Sequence, residues 1–400
     1  LIRGRFPVSA FICANQRQKI LILLFTMKIE TRAVHAGRKP EGGSRDVVPA
    51  IHLSTTFHKA DDGSLPGGYL YGRPNNPNRE SLEHALASLE EGAAALAFSS
   101  GSAATLAVFQ SLAPGDHVVA AEDAYYGTPI LLRTVMANWG LKHTLVNMQE
   151  LAAVERAITP ATRLIWTETP SNPLLNVTDL RAIVALAKKC GVLVACDNTW
   201  ATPLFQQPLN RGVDVVMHSV TKYLSGHSDV TMGALVFRDK GPLLEKITGI
   251  QHEGGAVPSP FECWLTLRGL QTFPYRVRAH AENAHRVAEF LNRQSKIEAV
   301  HYPGLPSHPS HKIAAAQMSG FGGMMSIQVR GGQAEAFKLV AGLKLFSHAT
   351  SLGSTHSLIE HRASVEGANT RSPANLLRLS IGLEHPDDLI EDLEQALKNL

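Results

Sequence analysis

Cysteine is scarce in this chain. Cys13, Cys190, Cys196 and Cys263 are the four in 400 residues, and no two of them form a Cys-x-x-Cys pair. That spacing excludes a disulfide framework and a structural zinc and implies a reducing compartment, with Cys190 and Cys196 expected as reduced core thiols in apolar stretches. Charge of one sign is not in excess either: 38 Lys and Arg against 35 Asp and Glu leave a net +3. A surface built for nucleic acid or an anionic membrane needs more than that. Long apolar runs are missing too. Ile20-Leu21-Ile22-Leu23-Leu24-Phe25, after Arg17 and Lys19, is too short to cross a bilayer, and no small-residue cleavage site follows it. The 18 histidines never fall in an H-E-x-x-H or similar ligand spacing, so no metal is expected. The expectation from these absences is a cytoplasmic protein whose partners are small molecules.

At 400 residues the chain exceeds the size at which one hydrophobic core keeps growing, so two domains are expected. Residues 1–26 precede Met27 and are read as an extraneous, disordered extension. Residues 27–78 are rich in Gly, Pro and Asn and show little periodicity; they are expected to form an arm lying on another surface, in the same chain or a partner. From 79 to 274, helical and strand periods alternate. Leu82, Leu86 and Leu89 share one helical face between Arg79 and Glu91, and strands follow at 94–98, 117–122, 141–147, 164–169, 192–197 and 213–219. Such alternation predicts an α/β fold with a mostly parallel sheet covered on both faces and a ligand beyond the carboxyl ends of the strands. Residues 275–400 open with a long helix over Tyr275 to Arg293 and are expected to form a smaller C-terminal α+β domain.

One stretch organises the rest. Val213 to Ser219 is an apolar, β-branched run that discharges into Val220-Thr221-Lys222-Tyr223-Leu224-Ser225-Gly226-His227, a hydroxyl-rich turn carrying a single lysine. A lysine amine attacks a carbonyl only when neutral, so its reference pKa of roughly 10.4 must be lowered by burial or nearby positive charge. Ser219 and Thr221 beside it suit phosphate oxygens. Upstream, the apolar run Val192 to Cys196 ends in Asp197. A carboxylate closing one strand and a lysine just past a later one fit a pyridoxal 5′-phosphate site, in which Asp197 holds the ring nitrogen and Lys222 joins the aldehyde. Taken singly, a strand-end Asp and a surface Lys are commonplace.

Ser219-Val220-Thr221-Lys222-Tyr223-Leu224-Ser225-Gly226-His227, taken with Asp197-Asn198-Thr199, resembles the signature of the pyridoxal-phosphate-dependent enzymes of Cys/Met metabolism, the trans-sulfuration family. The resemblance runs from about Thr31 to the C-terminus. It implies fold type I, with a seven-stranded-type sheet in the large domain, and a homo-oligomer, a dimer of dimers, whose site is shared between neighbours. By the match of Tyr69-Leu70-Tyr71-Gly72-Arg73, Tyr71 and Arg73 reach the phosphate of a neighbouring subunit. The turn Ser99-Ser100-Gly101-Ser102 opens a helix whose free amides seat an anion, so Gly101 and Ser102 join Ser219 and Thr221 on the phosphate. Tyr125, in Asp123-Ala124-Tyr125-Tyr126-Gly127, stacks on the cofactor ring and moves a proton to or from the leaving group. Asn172, in Glu168-Thr169-Pro170-Ser171-Asn172-Pro173, bonds the ring oxygen and helps hold the substrate carboxylate. Arg378, in Leu377-Arg378-Leu379-Ser380-Ile381-Gly382, forks onto that carboxylate, Ser351 assists through its backbone, and Tyr71 completes the substrate contacts. The implied reaction is C–S cleavage or γ-replacement on cystathionine, an O-acyl-homoserine or a related sulfur amino acid, with β-elimination and methionine γ-elimination as alternatives.

Departures from the family pattern bear on the substrate. Ser102 stands where the family has Met, and Tyr126 where it has Gly, a residue that permits the positive φ that Tyr disfavours. Ser354-Thr355-His356 replaces a Gly-x-Glu whose Glu can meet a distal ammonium, and His361 to Gly367 differs from the common Pro-Ala-x-Met-Thr-His. Two rival readings remain. One is aminotransfer on the same fold; the other is a non-catalytic cofactor-binding regulatory module, which needs a partner domain that residues 1–26 are too short to supply.

Overall fold

The computed structural model describes residues 27–38, 46–367 and 370–400. The expected extension 1–26, with Cys13, lies outside the described residues. The segment expected as an extended arm is not wholly irregular: Ile29–His35 forms a helix (α1), where buried Arg32 pairs with Glu91 at 2.9 Å and donates to the Ser88 carbonyl at 2.6 Å. Seven residues are too few to display a helical period in sequence, which is why the alternation missed it. Beyond it the described chain stays irregular as far as Asn76, apart from one bridge between Thr56 and Tyr71. Helix α2 (Pro77–Glu90) starts where the Asn76 side chain accepts the amides of Asn78 and Arg79. It stops where Glu91 turns left-handed, with Leu82, Leu86 and Leu89 buried.

The strands β1 (Ala94–Phe98), β2 (His117–Ala121), β3 (Lys142–Val146), β4 (Thr162–Glu168), β5 (Leu193–Asp197), β6 (Val215–Ser219) and β7 (Gly233–Phe237) form one sheet in the order β1-β7-β6-β5-β4-β2-β3. Only β7 runs antiparallel to its neighbours, β1 and β6. It is the strand that the alternation does not mark, because it returns directly after the Lys222 turn without a crossover helix. Gly233 starts it with the Ser100 backbone so close that any side chain there would overlap the carbonyl. Helices α3 (Gly101–Gln110), α4 (Gly127–Leu131) and α5 (Leu180–Cys190) follow β1, β2 and β4 in the chain. Along the central strands successive residues enter opposite cores: Val194 and Val216 pack with Leu82 and Tyr223 on one face, Val215 with Phe98, Trp166 and Phe237 on the other. Each such Val or Leu contributes about 1.5–3 kcal/mol. The expectation of two core thiols holds for Cys196 only. Cys190 is exposed, because it is the last residue of α5, beyond the part that packs on the sheet.

Helix α6 (Pro260–Leu270) carries a capping box made by Ser259 and Glu262, and the long helix α7 (Phe273–Leu291) starts two residues before its expected first residue, Tyr275. A second sheet follows, in the order β10-β11-β12-β9-β8, from β8 (Ile297–His301), β9 (Met324–Val329), β10 (Ser347–His348), β11 (Leu358–His361) and β12 (Leu376–Ser380). Its core is separate, built from Val287 and Leu291 of α7, Ile327, Leu377, and Leu389 and Leu393 of the last helix. The short helix α8 (Arg362–Glu366) leaves β11 directly, and α9 (Pro386–Lys398) closes the chain. In this sheet Glu360 of β11 and Arg378 of β12 are cross-strand partners.

Candidate active site

The carboxyl ends of β4, β5 and β6 meet the start of α3 and the β11–β12 pair around one cavity of about 550 Å³. Every expected site residue except Tyr71 and Arg73 lines it. Lys222 enters from the turn after β6, where its amide donates to the Ser219 carbonyl at 3.1 Å and its carbonyl accepts the Gly226 amide at 2.8 Å. Thr221 ties that turn to the entry of β7: its hydroxyl donates to the Met232 carbonyl at 3.1 Å and accepts the Met232 amide at 2.9 Å. The Lys222 amine donates to the Ser351 hydroxyl at 2.8 Å. Burial, helped by the Arg378 guanidinium and opposed by Glu360, lowers its pKa to about 8. Far more of the amine is therefore neutral near physiological pH than at its ordinary pKa.

Asp197 closes β5, in register with Glu168 of β4 and Met217 of β6. One of its oxygens accepts the Thr199 amide at 2.9 Å. Burial pushes its carboxyl up, while the Thr199 hydrogen bonds and His218 pull it down. The one charged group that acts on it is His218, and that less than the Thr199 hydrogen bonds. At the head of α3 the Ser100 hydroxyl accepts the Ala103 amide at 3.0 Å, which leaves the Gly101 and Ser102 amides without acceptors inside the helix. A Cβ on Gly101 would come within 3.1 Å of the Ser219 side chain, so the glycine keeps that space open.

The Tyr125 amide donates to Glu168 Oε2 at 2.6 Å, and its ring meets the Tyr126 ring edge-on at 4.9 Å between centroids. Burial and the neighbouring Tyr126 push the Tyr125 phenol up to about 12. It is protonated at neutral pH and can act as a donor. The positive φ that would disfavour a Tyr at position 126 does not arise: its φ is −54°, in the right-handed helical region, so no glycine is needed there. Arg378 both lines the cavity and forms a buried ion pair with Glu360. Its two terminal nitrogens also donate to Asn172 Oδ1 at 3.1 Å and to the Ser351 carbonyl at 3.2 Å, and its guanidinium lies 5.8 Å over the Trp200 ring. Ser351 thus contributes its carbonyl to Arg378 and its hydroxyl to Lys222. The sequence pointed to the Ser351 backbone but not to its hydroxyl on Lys222.

Tyr71 and Arg73 lie outside this cavity. Arg73 donates to the His252 carbonyl and sits 3.4 Å from Glu253, and Tyr71 is 44% exposed. His356 is exposed, 3.3 Å from Ser354, and does not line the cavity. The sequence reading missed Glu168, Trp200, Glu360 and Arg362. Glu168 had a signal: it closes a strand at the same sheet edge as Asp197, and burial with the charge of Asp197 pushes its carboxyl well above the usual range. Glu360 and Arg362 had none, since nothing local in sequence brings β11 to the large sheet.

The chemistry of the donor set fits pyridoxal 5′-phosphate. A buried acid at the end of β5 suits a protonated ring nitrogen, a helix start cleared by glycine suits a phosphate, and an amine with a lowered pKa suits an aldehyde. This site on this strand order defines a pyridoxal-phosphate-dependent enzyme of fold type I. The model for "Cys/Met metabolism PLP-dependent enzyme" matches residues 30–398. The chain is 50% identical over 373 residues to the cystathionine gamma-synthase of Mycobacterium tuberculosis (92% of this chain, 96% of that one). It is 42% identical over 378 residues to the cystathionine gamma-lyase of Dictyostelium discoideum (92% and 97%). Among solved structures, metB from Corynebacterium glutamicum superposes with a TM-score of 0.92 at 42% identity, covering 94% of this chain and 99% of that one. The chain belongs to the Cys/Met metabolism family of pyridoxal-phosphate-dependent enzymes, whose named members here are carbon–sulfur lyases and γ-replacement transferases. No helix among the described residues is long and apolar enough to cross a membrane.

Proposed function

We propose that the enzyme catalyses γ-replacement: the sulfur of cysteine forms a C–S bond to the γ-carbon of an O-acyl-homoserine, the C–O bond breaks, and the acid leaves, giving cystathionine. The observation that carries this reading is the Lys222 amine, lowered to about 8, sharing one cavity with Asp197 and Arg378. The 50% identity to a cystathionine gamma-synthase favours replacement over cleavage. Bound in the cavity, pyridoxal 5′-phosphate supplies an electron sink for charge developing on the amino acid's carbons. Everything else falls to side chains. Arg378, set by Asn172 and Ser351, forks onto the substrate's α-carboxylate. Lys222 takes and returns protons along the substrate's carbon chain, steered by Ser351. Tyr125 covers the ring and gives a proton to the departing oxygen. Asp197 keeps a proton on the ring nitrogen, and Gly101, Ser102, Ser219 and Thr221 hold the phosphate.

Because only the neutral amine carries a lone pair, cofactor capture by the apoenzyme is expected to rise with pH and level off above about 8. Below that it falls about tenfold per pH unit. Stopped-flow absorbance after mixing checks this, and a flat profile from pH 6 to 9 contradicts it. The product assay is direct: O-acyl-homoserine plus cysteine yields cystathionine. Thiol and α-keto acid from cystathionine alone would instead support the lyase reading.

The polypeptide divides, in this reading, into an arm (27–78), a large domain (79–274) and a small one (275–400), assembled in the cytoplasm as a dimer of dimers. Tyr71 and Arg73, outside their own cavity, serve a neighbour's phosphate. Arg73→Ala and Lys222→Ala homomers are then both inactive, while refolded mixtures recover up to about a quarter of wild-type activity, because a hybrid dimer holds one intact site. Mixtures that stay inactive would place Arg73 in its own chain's service.

A further inference from the structure

Behind the floor of the cavity, and outside its lining, the last residue of α2 meets β6. His218 Nε2 donates to Glu90 Oε1 at 2.5 Å, and the two side chains are 1% and 0% exposed. Resting on the reading that Asp197 faces the cofactor's ring nitrogen, we propose that His218, held by Glu90, is a positioning residue for that acid. Its positive charge keeps Asp197 ionised, and so keeps the proton on the ring nitrogen rather than on the carboxylate.

The hydrogen bonds place the charges. Glu90 Oε1 also accepts the Asn198 side-chain amide at 2.8 Å, whereas Glu90 Oε2 has no partner among the described residues. An O–H on Oε2 would have nothing to donate to, and Oε1 already accepts two donors, so the shared proton lies on the imidazole. A buried carboxylate needs a cation, and His218 is the one ion-pair partner of Glu90 among the described residues. The same glutamate steadies the acid's surroundings. Asn198 follows Asp197 in the chain, and its backbone amide donates to the carbonyl of Met217, the cross-strand partner of Asp197. Glu90 thus grips the residue after Asp197 and the residue after its partner.

Two buried acids close adjacent strands at this edge, and His218 distinguishes them. Burial and the charge of Asp197 push Glu168 of β4 well above the usual range, so it keeps its proton. Burial raises Asp197 too, but the Thr199 hydrogen bonds and His218 draw it back. The charge acting on Asp197 is that of His218, with Glu90 beyond it. The Cys196 thiol, which senses Asp197, Glu90 and Glu168, is held neutral by burial. A cation placed behind one carboxylate of the pair makes that carboxylate the ionised one.

The test is the nitrogen NMR resonance of the ring in holoenzyme carrying isotopically labelled pyridoxal 5′-phosphate, whose position reports the protonated share. The wild type is expected at the pyridinium position and Asp197→Asn at the neutral-pyridine position. His218→Gln keeps a donor for Glu90 without the charge. Its resonance is expected between the two, the ratio of protonated to neutral nitrogen falling about tenfold, as for one pKa unit. The value of kcat falls with it, while the rate at which the Lys222 amine captures the cofactor stays at the wild-type value. Because His218→Gln strands a buried carboxylate, Glu90→Gln/His218→Gln, which removes both charges, is the second variant and is expected to show the same shift. In whichever of the two folds, a resonance that stays at the wild-type position overturns the proposal and leaves the pair a structural tie between α2 and the sheet. A wild type already at the neutral position, unmoved in Asp197→Asn, overturns the Asp197 reading itself.

Discussion

Lys222→Ala is expected to lower turnover by on the order of 10³-fold or more and to abolish the visible absorbance of covalently held cofactor. The size follows from two losses at one position. In the proposed mechanism the amine both holds the cofactor and moves the substrate's protons, and among the described residues no second lysine lines the cavity to replace it. The fold should be indifferent to the change. Lys222 loses one hydrogen bond, to Ser351, but its removal also relieves a buried amine that the site already holds well below its usual pKa. Thermal unfolding of the apoenzyme within a few degrees of wild type, together with the collapse in rate, would separate chemistry from architecture. A variant that keeps full turnover removes the mechanism.

Asp197→Asn is expected to cut kcat by about 10²–10³-fold and to weaken cofactor binding, since an amide cannot stabilise a proton on the ring nitrogen as a carboxylate does. Stability in the apoenzyme should move the other way. Burial raises the Asp197 pKa above its unfolded value, so its contribution is fully present below the unfolded pKa and is lost as pH rises through the raised folded one. Once its proton is lost, the apoenzyme holds a buried charge eased only by the Thr199 hydrogen bonds and His218. The Asn variant removes that cost, and its apo form should unfold at an equal or higher temperature than wild type. Denaturant titration of both apo forms at acid and neutral pH checks the sign. A variant destabilised at neutral pH would show that Asp197 is a structural acid.

The large sheet was legible because its central strands are buried on both faces and read as apolar runs closed by polar residues. Six of its seven strands fall on the segments expected, and Asp197, Ser219 and Lys222 converge because parallel strands deliver their carboxyl ends to one edge. β7 escaped because it pairs antiparallel, without the helix that would have announced it. The arm hid α1 for want of length. The half of the site that comes from the second sheet was legible only as isolated motifs. Arg378 could be named, but the buried chain Arg378–Glu360–Arg362–Glu366 depends on a cross-strand register and a helix start that local sequence does not encode. Tyr126 shows the converse. A residue that looked strained by comparison with a pattern sits in ordinary helical geometry, because here the loop passes straight into α4.

Borohydride reduction of the holoenzyme followed by peptide mapping tests the central claim most directly. The pyridoxyl group should be found on the peptide carrying Lys222 and on no other lysine. Its recovery on a different lysine, or a protein that binds pyridoxal 5′-phosphate with nothing fixed by reduction, would contradict the site described here.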